Sequence, residues 1–216
     1  MFEDINEAYY WLDQRDDSRT RMLKKLRFYR RQEQGLDFEE KMFRERKSYR
    51  TLFLTVGLKP DRREDVTLPT MQRYRKRFFR HIREAGPRDE LLYGVQGILW
   101  KFEEGGRSGG LHLHLVIFYE AGRSGDVSIC RALGEYWVER ITHGWGGYRN
   151  SNATKHDHKH RWGIAVGQIG RDHHEMRDSL RKVIGVYMAK TMQEPKDSDA
   201  DDKLWGTVKP TRTNIG

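Results

Sequence analysis

Residues 111–119, which read LHLHLVIFY, constrain the fold more than any other stretch of the chain. Side chains alternate between the two faces of a β-strand, so one face of this segment is continuously apolar while the other begins with two histidines. The apolar face consists of Leu111, Leu113, Leu115, Ile117 and Tyr119. That face has to pack under helices. On the opposite face, His112 and His114 point to a common position above the sheet, where two imidazoles can bind one metal ion.

The strand that precedes the histidines supplies a possible third ligand. Residues 105–110 read GGRSGG and predict the turn of a β-hairpin. If these six residues form the turn, Glu103 lies opposite His112 and shares its face, whereas a slip of one residue would give the role to Glu104. Two imidazoles and one carboxylate leave coordination positions open, and oxygen ligands from water and phosphate would suit Mg²⁺ or Mn²⁺.

A helix predicted over residues 172–192 carries a second group of candidate residues. Helical spacing places Lys190 one turn from Tyr187 and inside the same inward-facing arc. An inward tyrosine is ordinarily a core residue, but an inward ammonium group is costly to bury without a partner. A polar site beneath the helix would account for both residues, and a metal ion and Lys190 could together activate the phenol of Tyr187 as a nucleophile. The rest of the inward stripe is Met176, Leu180, Val183 and Ile184.

The order of the predicted elements indicates an α+β domain. A central hairpin with flanking helices predicts an antiparallel sheet of about five strands with helices on one face. The elements are strand 51–58, a helix from about residue 67 or 70, strands 93–103 and 111–119, helix 128–142, strand 163–169 and helix 172–192. Residues 1–48 are predicted as a basic N-terminal extension of two helices broken near Gly35, residues 49–193 as the catalytic domain, and residues 194–216 as an acidic, loosely ordered tail.

The charge of the chain favours a polyanionic partner. Its 41 Lys and Arg residues exceed its 32 Asp and Glu residues, which gives a net charge of +9. DNA, RNA and a membrane surface would all satisfy this charge. The candidate DNA contacts are Arg73, Lys76 and Arg77 on the helix after the first strand, and Lys101 on the strand before the hairpin turn. Tryptophan usually belongs to the core, but stacking on bases is possible for Trp100, Trp137, Trp145 and Trp162.

Cysteine content and hydropathy limit the class of protein. The single cysteine, Cys130, excludes a disulfide framework and a zinc site built from several cysteines. The longest apolar runs are far too short to cross a bilayer, and the first residues lack the basic and apolar regions of a secretory signal. The expected compartment is therefore a reducing cytoplasm, with no membrane partner.

Taken together, the motifs LHLHL and YMAK resemble those of the HUH superfamily of single-strand DNA nucleases. That class pairs a His-hydrophobic-His strand with a Tyr-x-x-Lys helix on a sheet of ferredoxin-like or RRM-like form. A closer likeness is to the replication initiators of filamentous phages (inoviruses) and their prophage relatives, over roughly residues 50–210. It rests on the segments ILWKFEEGGRSGGLHLHLVIFYE, ALGEYWVERIT, HGWGGYRN, RWGIAVGQIG and LRKVIGVYMAKT.

The resemblance implies a rolling-circle replication initiator acting in a bacterial cytoplasm. A divalent metal, Mg²⁺ or Mn²⁺, held by His112, His114 and Glu103 would polarise the scissile phosphate of single-stranded origin DNA. Tyr187 would attack, leaving a 5′-phosphotyrosine and a free 3′-OH, with Lys190 stabilising charge. Because the helix face carries one tyrosine, a single-nucleophile enzyme is expected, with host helicase and polymerase as possible partners.

Two alternatives to the initiator remain open. A transposase or relaxase of the same superfamily would share the active site and differ in its DNA substrate. A non-catalytic DNA-binding regulator on the same fold would keep its function in the substitution Tyr187→Phe.

Overall fold

The computed structural model describes residues 17–63, 66–105, 110–122, 125–156, 163–199 and 202–211. Two short π-helical segments, Trp137–Ile141 and Val183–Met188, directly follow the helices Asp126–Tyr136 and His174–Lys182. The described elements are α1 Ser18–Glu45, β1 Ser48–Leu58, α2 Leu68–Glu84, the short α3 Glu90–Tyr93, β2 Val95–Gly105, β3 Gly110–Glu120, α4 Asp126–Tyr136, β4 Gly146–Asn150, β5 Gly167–Gly170, α5 His174–Lys182 and β6 Trp205–Val208.

The strands form one antiparallel sheet, which confirms the predicted α+β class. In the described chain the sheet has six strands in the order β4-β1-β3-β2-β6, and β5 pairs with β1 on the same edge as β4. Two of these strands, β4 and β6, were not among the predicted ones. Because β6 comes from the tail, the prediction of a loosely ordered tail is wrong for residues 205–208. These residues pair with residues 98–101 of β2, and the side chain of Trp205 is buried against the sheet.

Helices cover both faces of the sheet, whereas the sequence predicted helices on one face only. One face packs against α2 and α4, and its core includes Leu113, Leu115 and Ile117 of β3. The other face packs against α1 and α5, and its core includes Val116 and Phe118 of the same strand. The reason is that the face that begins with the two histidines becomes apolar further along β3, and this apolar part has to be shielded from water as well.

The N-terminal helix is continuous, whereas two helices broken near Gly35 were predicted. Helix α1 runs through Gly35 and is capped by Asp17, whose side chain accepts from two backbone N–H groups of the first turn. A Cβ atom at Gly35 would lie 2.7 Å from the Cγ2 atom of Ile184. The glycine therefore permits close approach to the π-helical segment that carries Tyr187, and it does not end the helix.

Several boundaries differ in detail from the predictions. Residues 146–150 form a strand that was not predicted, and β5 begins only at Gly167. Trp162 and residues 106–109 of the hairpin turn lie outside the described residues. No helix in the described part of the chain is long and apolar enough to cross a membrane.

Candidate functional site

The register of three strands brings the predicted metal ligands together on one face of the sheet. Glu103 pairs with His112, as the length of the hairpin turn predicted. Thr55 of β1 and Lys101 of β2 lie on either side of His114. The first row of the site is therefore His112 and Glu103, and the second row is Thr55, His114 and Lys101.

The structure distinguishes between the two candidate glutamates. Glu104 pairs with Leu111, and its carboxylate accepts a hydrogen bond of 2.8 Å from the backbone N–H of Lys196. Glu103 lies beside the histidines, with its Oε2 atom 2.7 Å from Nε2 of His114. Glu103 is therefore the glutamate placed to share a cation with the two imidazoles.

The carboxylate of Glu103 is buried and surrounded by cationic groups. Its Oε1 atom lies 2.5 Å from Nζ of Lys101 and 3.5 Å from Nζ of Lys190. Burial would raise the pKa of Glu103, but the hydrogen bond with His114 and the charges of the two lysines outweigh it, and the pKa lies well below its usual range. Glu103 is thus ionised at any pH at which the protein would act.

Three side chains hold the imidazole of His114 in place, namely Glu103, Thr55 and Phe53. Its Nδ1 atom forms a hydrogen bond of 2.9 Å with the hydroxyl of Thr55, and its ring stacks on Phe53 with 6.1 Å between centroids. Burial lowers the pKa of His114 more than the neighbouring Glu103 raises it, and burial likewise lowers the pKa of His112. Both imidazoles therefore favour the neutral form, which is the form that binds a metal ion.

Tyr187 meets this histidine site from the helical layer above it. Its ring lies edge-on to His114, with 5.6 Å between centroids and an interplanar angle of 86°. Nζ of Lys190 lies 4.5 Å from the centre of the Tyr187 ring and also contacts the amide oxygen of Gln193 at 3.1 Å. Tyr187 belongs to the π-helical segment, and such irregular turns are frequent at functional sites.

Lys101 occupies a different position from the one its predicted DNA contact requires. Its side chain has no exposed surface, and its ammonium group donates to the backbone carbonyl of Tyr187 at 3.1 Å while contacting Glu103. Burial lowers the pKa of Lys101 to about 7. Because the residue is enclosed beneath Tyr187, it cannot contact DNA directly, and that assignment is corrected. Its contacts instead link β2 to the helix that bears the tyrosine.

The other predicted DNA contacts lie away from this site. Arg73, Lys76 and Arg77 belong to α2, which covers the opposite face of the sheet. Arg73 and Lys76 are exposed, whereas the guanidinium group of Arg77 lies 2.8 Å from the imidazole of His143 and 3.3 Å from the carbonyl of Ile141. A role for these residues in DNA binding remains a prediction, and it would concern a surface separate from the histidines.

A cleft of about 630 Å³ opens above the histidines and Tyr187. Four basic residues that the sequence did not single out line it, namely Lys59, Arg63, Arg149 and Lys155. Asn152 fixes the segment that precedes Lys155. Its buried side chain accepts a hydrogen bond from the backbone N–H of Phe53 (2.9 Å) and donates one to the carbonyl of Thr51 (3.1 Å), both in β1. The cleft combines apolar walls with cations, which suits a ligand that carries both apolar and anionic groups.

The donor set suits a divalent cation, but the donors already contact one another. Within the described ranges, no group of three His, Cys, Asp or Glu side chains is spaced to hold a metal ion. His112 and His114 have ring centroids 6.4 Å apart, and His114 is hydrogen-bonded directly to Glu103. A cation bound by these residues would have to replace that hydrogen bond, because both would use the same His114 nitrogen.

Comparison with known proteins adds no relative to this description. No family model matches the sequence, and no curated protein or solved structure matches the chain.

Proposed function

We propose that the protein is a metal-dependent nuclease that nicks single-stranded DNA and rejoins strands through a tyrosine-linked intermediate. The observation that carries the proposal is the meeting of Tyr187, His114 and Glu103 in the lining of one cleft, with Lys190 beside Tyr187 and Glu103, although Glu103 and Tyr187 are separated by 84 positions in the sequence. A tyrosine held against a histidine–carboxylate pair, with a lysine over its ring, is an arrangement suited to attack on a phosphodiester.

In the proposed reaction, the hydroxyl oxygen of Tyr187 forms a bond to phosphorus as the bond from phosphorus to the 3′ oxygen breaks. The tyrosine loses its proton, and the departing 3′ oxygen gains one and becomes a free hydroxyl. The 5′ phosphate stays on Tyr187 as a phosphodiester, so the energy of the broken bond is conserved and a second 3′-OH can reverse the step. Lys190 stabilises the negative charge that develops on the phenolate and on the phosphate.

His112, His114 and Glu103 are the residues that would hold a divalent cation, Mg²⁺ or Mn²⁺. When bound, the cation would supply Lewis-acid polarisation of the scissile phosphate. Thr55 orients His114 through its Nδ1 atom, as partners outside the coordination sphere commonly do for metal-binding histidines. Lys101 holds Glu103 and the backbone of Tyr187 at a fixed separation.

The more specific proposal is a rolling-circle replication initiator of the HUH type on a ferredoxin-like or RRM-like sheet. The support is the order of the motifs along the chain, with the histidine strand before the tyrosine helix, together with the central antiparallel hairpin. Origin DNA would be the substrate, and host helicase and polymerase would act on the displaced strand and the free 3′-OH.

The decisive experiment uses labelled single-stranded oligonucleotides tiled across both strands of the DNA that flanks the gene. Each is incubated with the protein and Mn²⁺ and then separated on a denaturing gel. The expected result is a covalent protein–DNA band that requires the metal, disappears in Tyr187→Phe and persists in the control Tyr136→Phe, whose hydroxyl lies on the opposite face of the sheet. An adduct that survives in Tyr187→Phe would move the nucleophile to another residue.

The second candidate is a DNA-binding protein without nuclease chemistry. The observation that favours it is the direct hydrogen bond of 2.7 Å between His114 and Glu103, which pairs the two side chains without a cation. This candidate predicts no adduct with any oligonucleotide. It also predicts that Tyr187→Phe binds DNA as tightly as the unchanged protein.

A further inference from the structure

We propose that Trp145 and Arg62 form a stacking site for one unpaired base of single-stranded DNA, beside the cleft-lining residues Lys59 and Arg63. The choice of DNA as the nucleic acid rests on the proposed function, but the site itself rests on different residues. Trp145 is 45 % exposed, whereas Trp100, Trp137 and Trp205 are each less than 10 % exposed. A tryptophan that is half exposed in a chain whose other described tryptophans are buried calls for a partner outside the core.

The ring of Trp145 is held in place by the segment that carries Arg62. The backbone N–H of Lys59 donates to the carbonyl of Trp145 at 3.0 Å, and the N–H of Trp145 donates to the carbonyl of Thr142 at 3.2 Å. Arg62 ends a short 3₁₀ turn that begins at Pro60, and its guanidinium carbon lies 5.0 Å from the centre of the Trp145 ring. The two planar groups are therefore ordered before any ligand binds, which reduces the entropy lost on binding.

The next strand presents a cation to the cleft and an aromatic ring to the other face of the sheet. Tyr148 pairs with Val56 of β1, and its ring packs against the backbone of α4 at Gly134, where a Cβ atom would lie only 2.3 Å from the ring. Arg149 pairs with Thr55, so it shares the face of the histidines, and it lines the cleft. The stacking site therefore continues into the cleft through a cation, which suits the phosphate next to a stacked base.

Charge and geometry favour a single strand over other ligands. Lys59, Arg63 and Arg149 line the adjoining cleft and suit a phosphate backbone, while exposed aromatic rings suit bases that are not paired. A duplex keeps its bases stacked inside the helix and cannot present them to Trp145. The carboxylate of Asp61 lies 3.8 Å from Arg62, but it is highly exposed, so solvent screens its charge.

The test is a binding titration in EDTA, which separates binding from any metal-dependent chemistry. Fluorescence anisotropy is measured with labelled dT15 and with a 15-unit abasic oligomer that has the same backbone charge and no bases. Trp145→Ala is expected to weaken dT15 binding about 5- to 100-fold, and Trp145→Phe should stay within about threefold of the unchanged protein. The abasic oligomer should bind Trp145→Ala and the unchanged protein equally.

A matched control removes charge from the other face of the sheet. The double substitution Arg80→Ala, Arg83→Ala changes two exposed cations of α2 that have no proposed role in DNA binding, and it should leave dT15 binding within about threefold. Trp145→Ala should weaken binding without changing its salt dependence, because no charge is removed. Circular dichroism spectra that match the unchanged protein would show that the variants fold.

Several outcomes would overturn the site. Equal dT15 affinity for Trp145→Ala and the unchanged protein would do so, as would an equal loss on the abasic oligomer, since then no base is involved. Tighter binding of U15 or of duplex DNA than of dT15 would reject the assignment to single-stranded DNA. If dT15 binding depends on Trp145 but no oligonucleotide yields an adduct, the stacking site stands and the proposed nuclease fails.

Discussion

The buried ion pair between Glu39 and Arg177 allows a sharp test of how the tyrosine-bearing helix is held. The carboxylate of Glu39 in α1 has no exposed surface and accepts from Arg177 at 2.9 Å and 3.0 Å. Arg181, also in α5, lies 3.3 Å from the same carboxylate. Because α5 continues directly into the π-helical segment with Tyr187, we expect Glu39→Gln to loosen this helix.

The magnitude follows from the contacts that remain. Removing one partner of a buried ion pair costs about 3–5 kcal/mol. Glu40 also contacts Arg177 at 3.0 Å and Arg181 at 3.5 Å, so the two guanidinium groups keep a carboxylate, and the lower limit applies. We therefore expect a loss of about 3 kcal/mol in the free energy of unfolding for Glu39→Gln. Glu40→Gln is the matched control, and with a 44 % exposed carboxylate it should lose less than about 1 kcal/mol.

Urea unfolding followed by circular dichroism measures both variants. With a urea dependence of about 2–3 kcal/mol/M for a chain of this size, Glu39→Gln should lower the unfolding midpoint by about 1–1.5 M. Glu40→Gln should shift the midpoint by less than half as much. Equal midpoints for the two variants, at an unchanged urea dependence, would refute the reasoning, because burial would then make no difference to the value of this ion pair.

Three further predictions concern packing, orientation and protonation near the site. Gly35→Ala should destabilise the fold by about 1–3 kcal/mol in thermal unfolding, since its Cβ would lie 2.7 Å from a neighbouring side chain, whereas Gly86→Ala, with nothing within 4 Å, should not. Thr55→Val keeps the shape but removes the hydrogen bond to His114, and calorimetry should show Mn²⁺ affinity reduced about tenfold or more. Unchanged affinity would mean that Thr55 does not orient the ligand. The pKa of Lys101 is lowered to about 7, so the unfolded chain binds more protons above that pH and stability should rise from pH 7 towards pH 10. Lys101→Met should lose this rise in urea unfolding measured across the same pH range.

The part of the site that is local in sequence was predictable. The alternation of residues 111–119 and the glycine-rich link before them were enough to place Glu103 opposite His112, because hairpin register depends on turn length and on the pleat. Helical spacing likewise placed Lys190 next to Tyr187. Both inferences concern residues within about twenty positions of each other, where geometry leaves few alternatives.

The basic cleft could not be predicted in this way. Lys59 and Arg63 follow β1, whereas Arg149 lies in β4, and only the pairing of these two strands brings them to one cleft. The basic stripe of α2 was more conspicuous in the sequence but lies on the other face of the sheet. Even within that stripe, Arg75 is buried with its guanidinium group 3.9 Å from the ring centre of Trp100. Local charge density in the sequence therefore drew attention to a surface other than the cleft.

The sequence predicted α1 as part of an extension separate from the catalytic domain, but in the structure α1 packs against the segment that carries Tyr187. The charged composition of α1 is typical of an appended helix, but α1 contacts the chain both before and after Tyr187. Gln32 donates to the carbonyl of Gly185 at 2.8 Å, two residues before Tyr187, and Arg31 contacts Glu194 at 2.6 Å, seven residues after it. A π-helical segment has a less regular backbone hydrogen-bond pattern than an α-helix, so an external donor at one of its carbonyls helps to fix its shape. The position of the tyrosine therefore depends on α1 as well as on the sheet, and residues 18–45 belong to the structural unit that builds the candidate site.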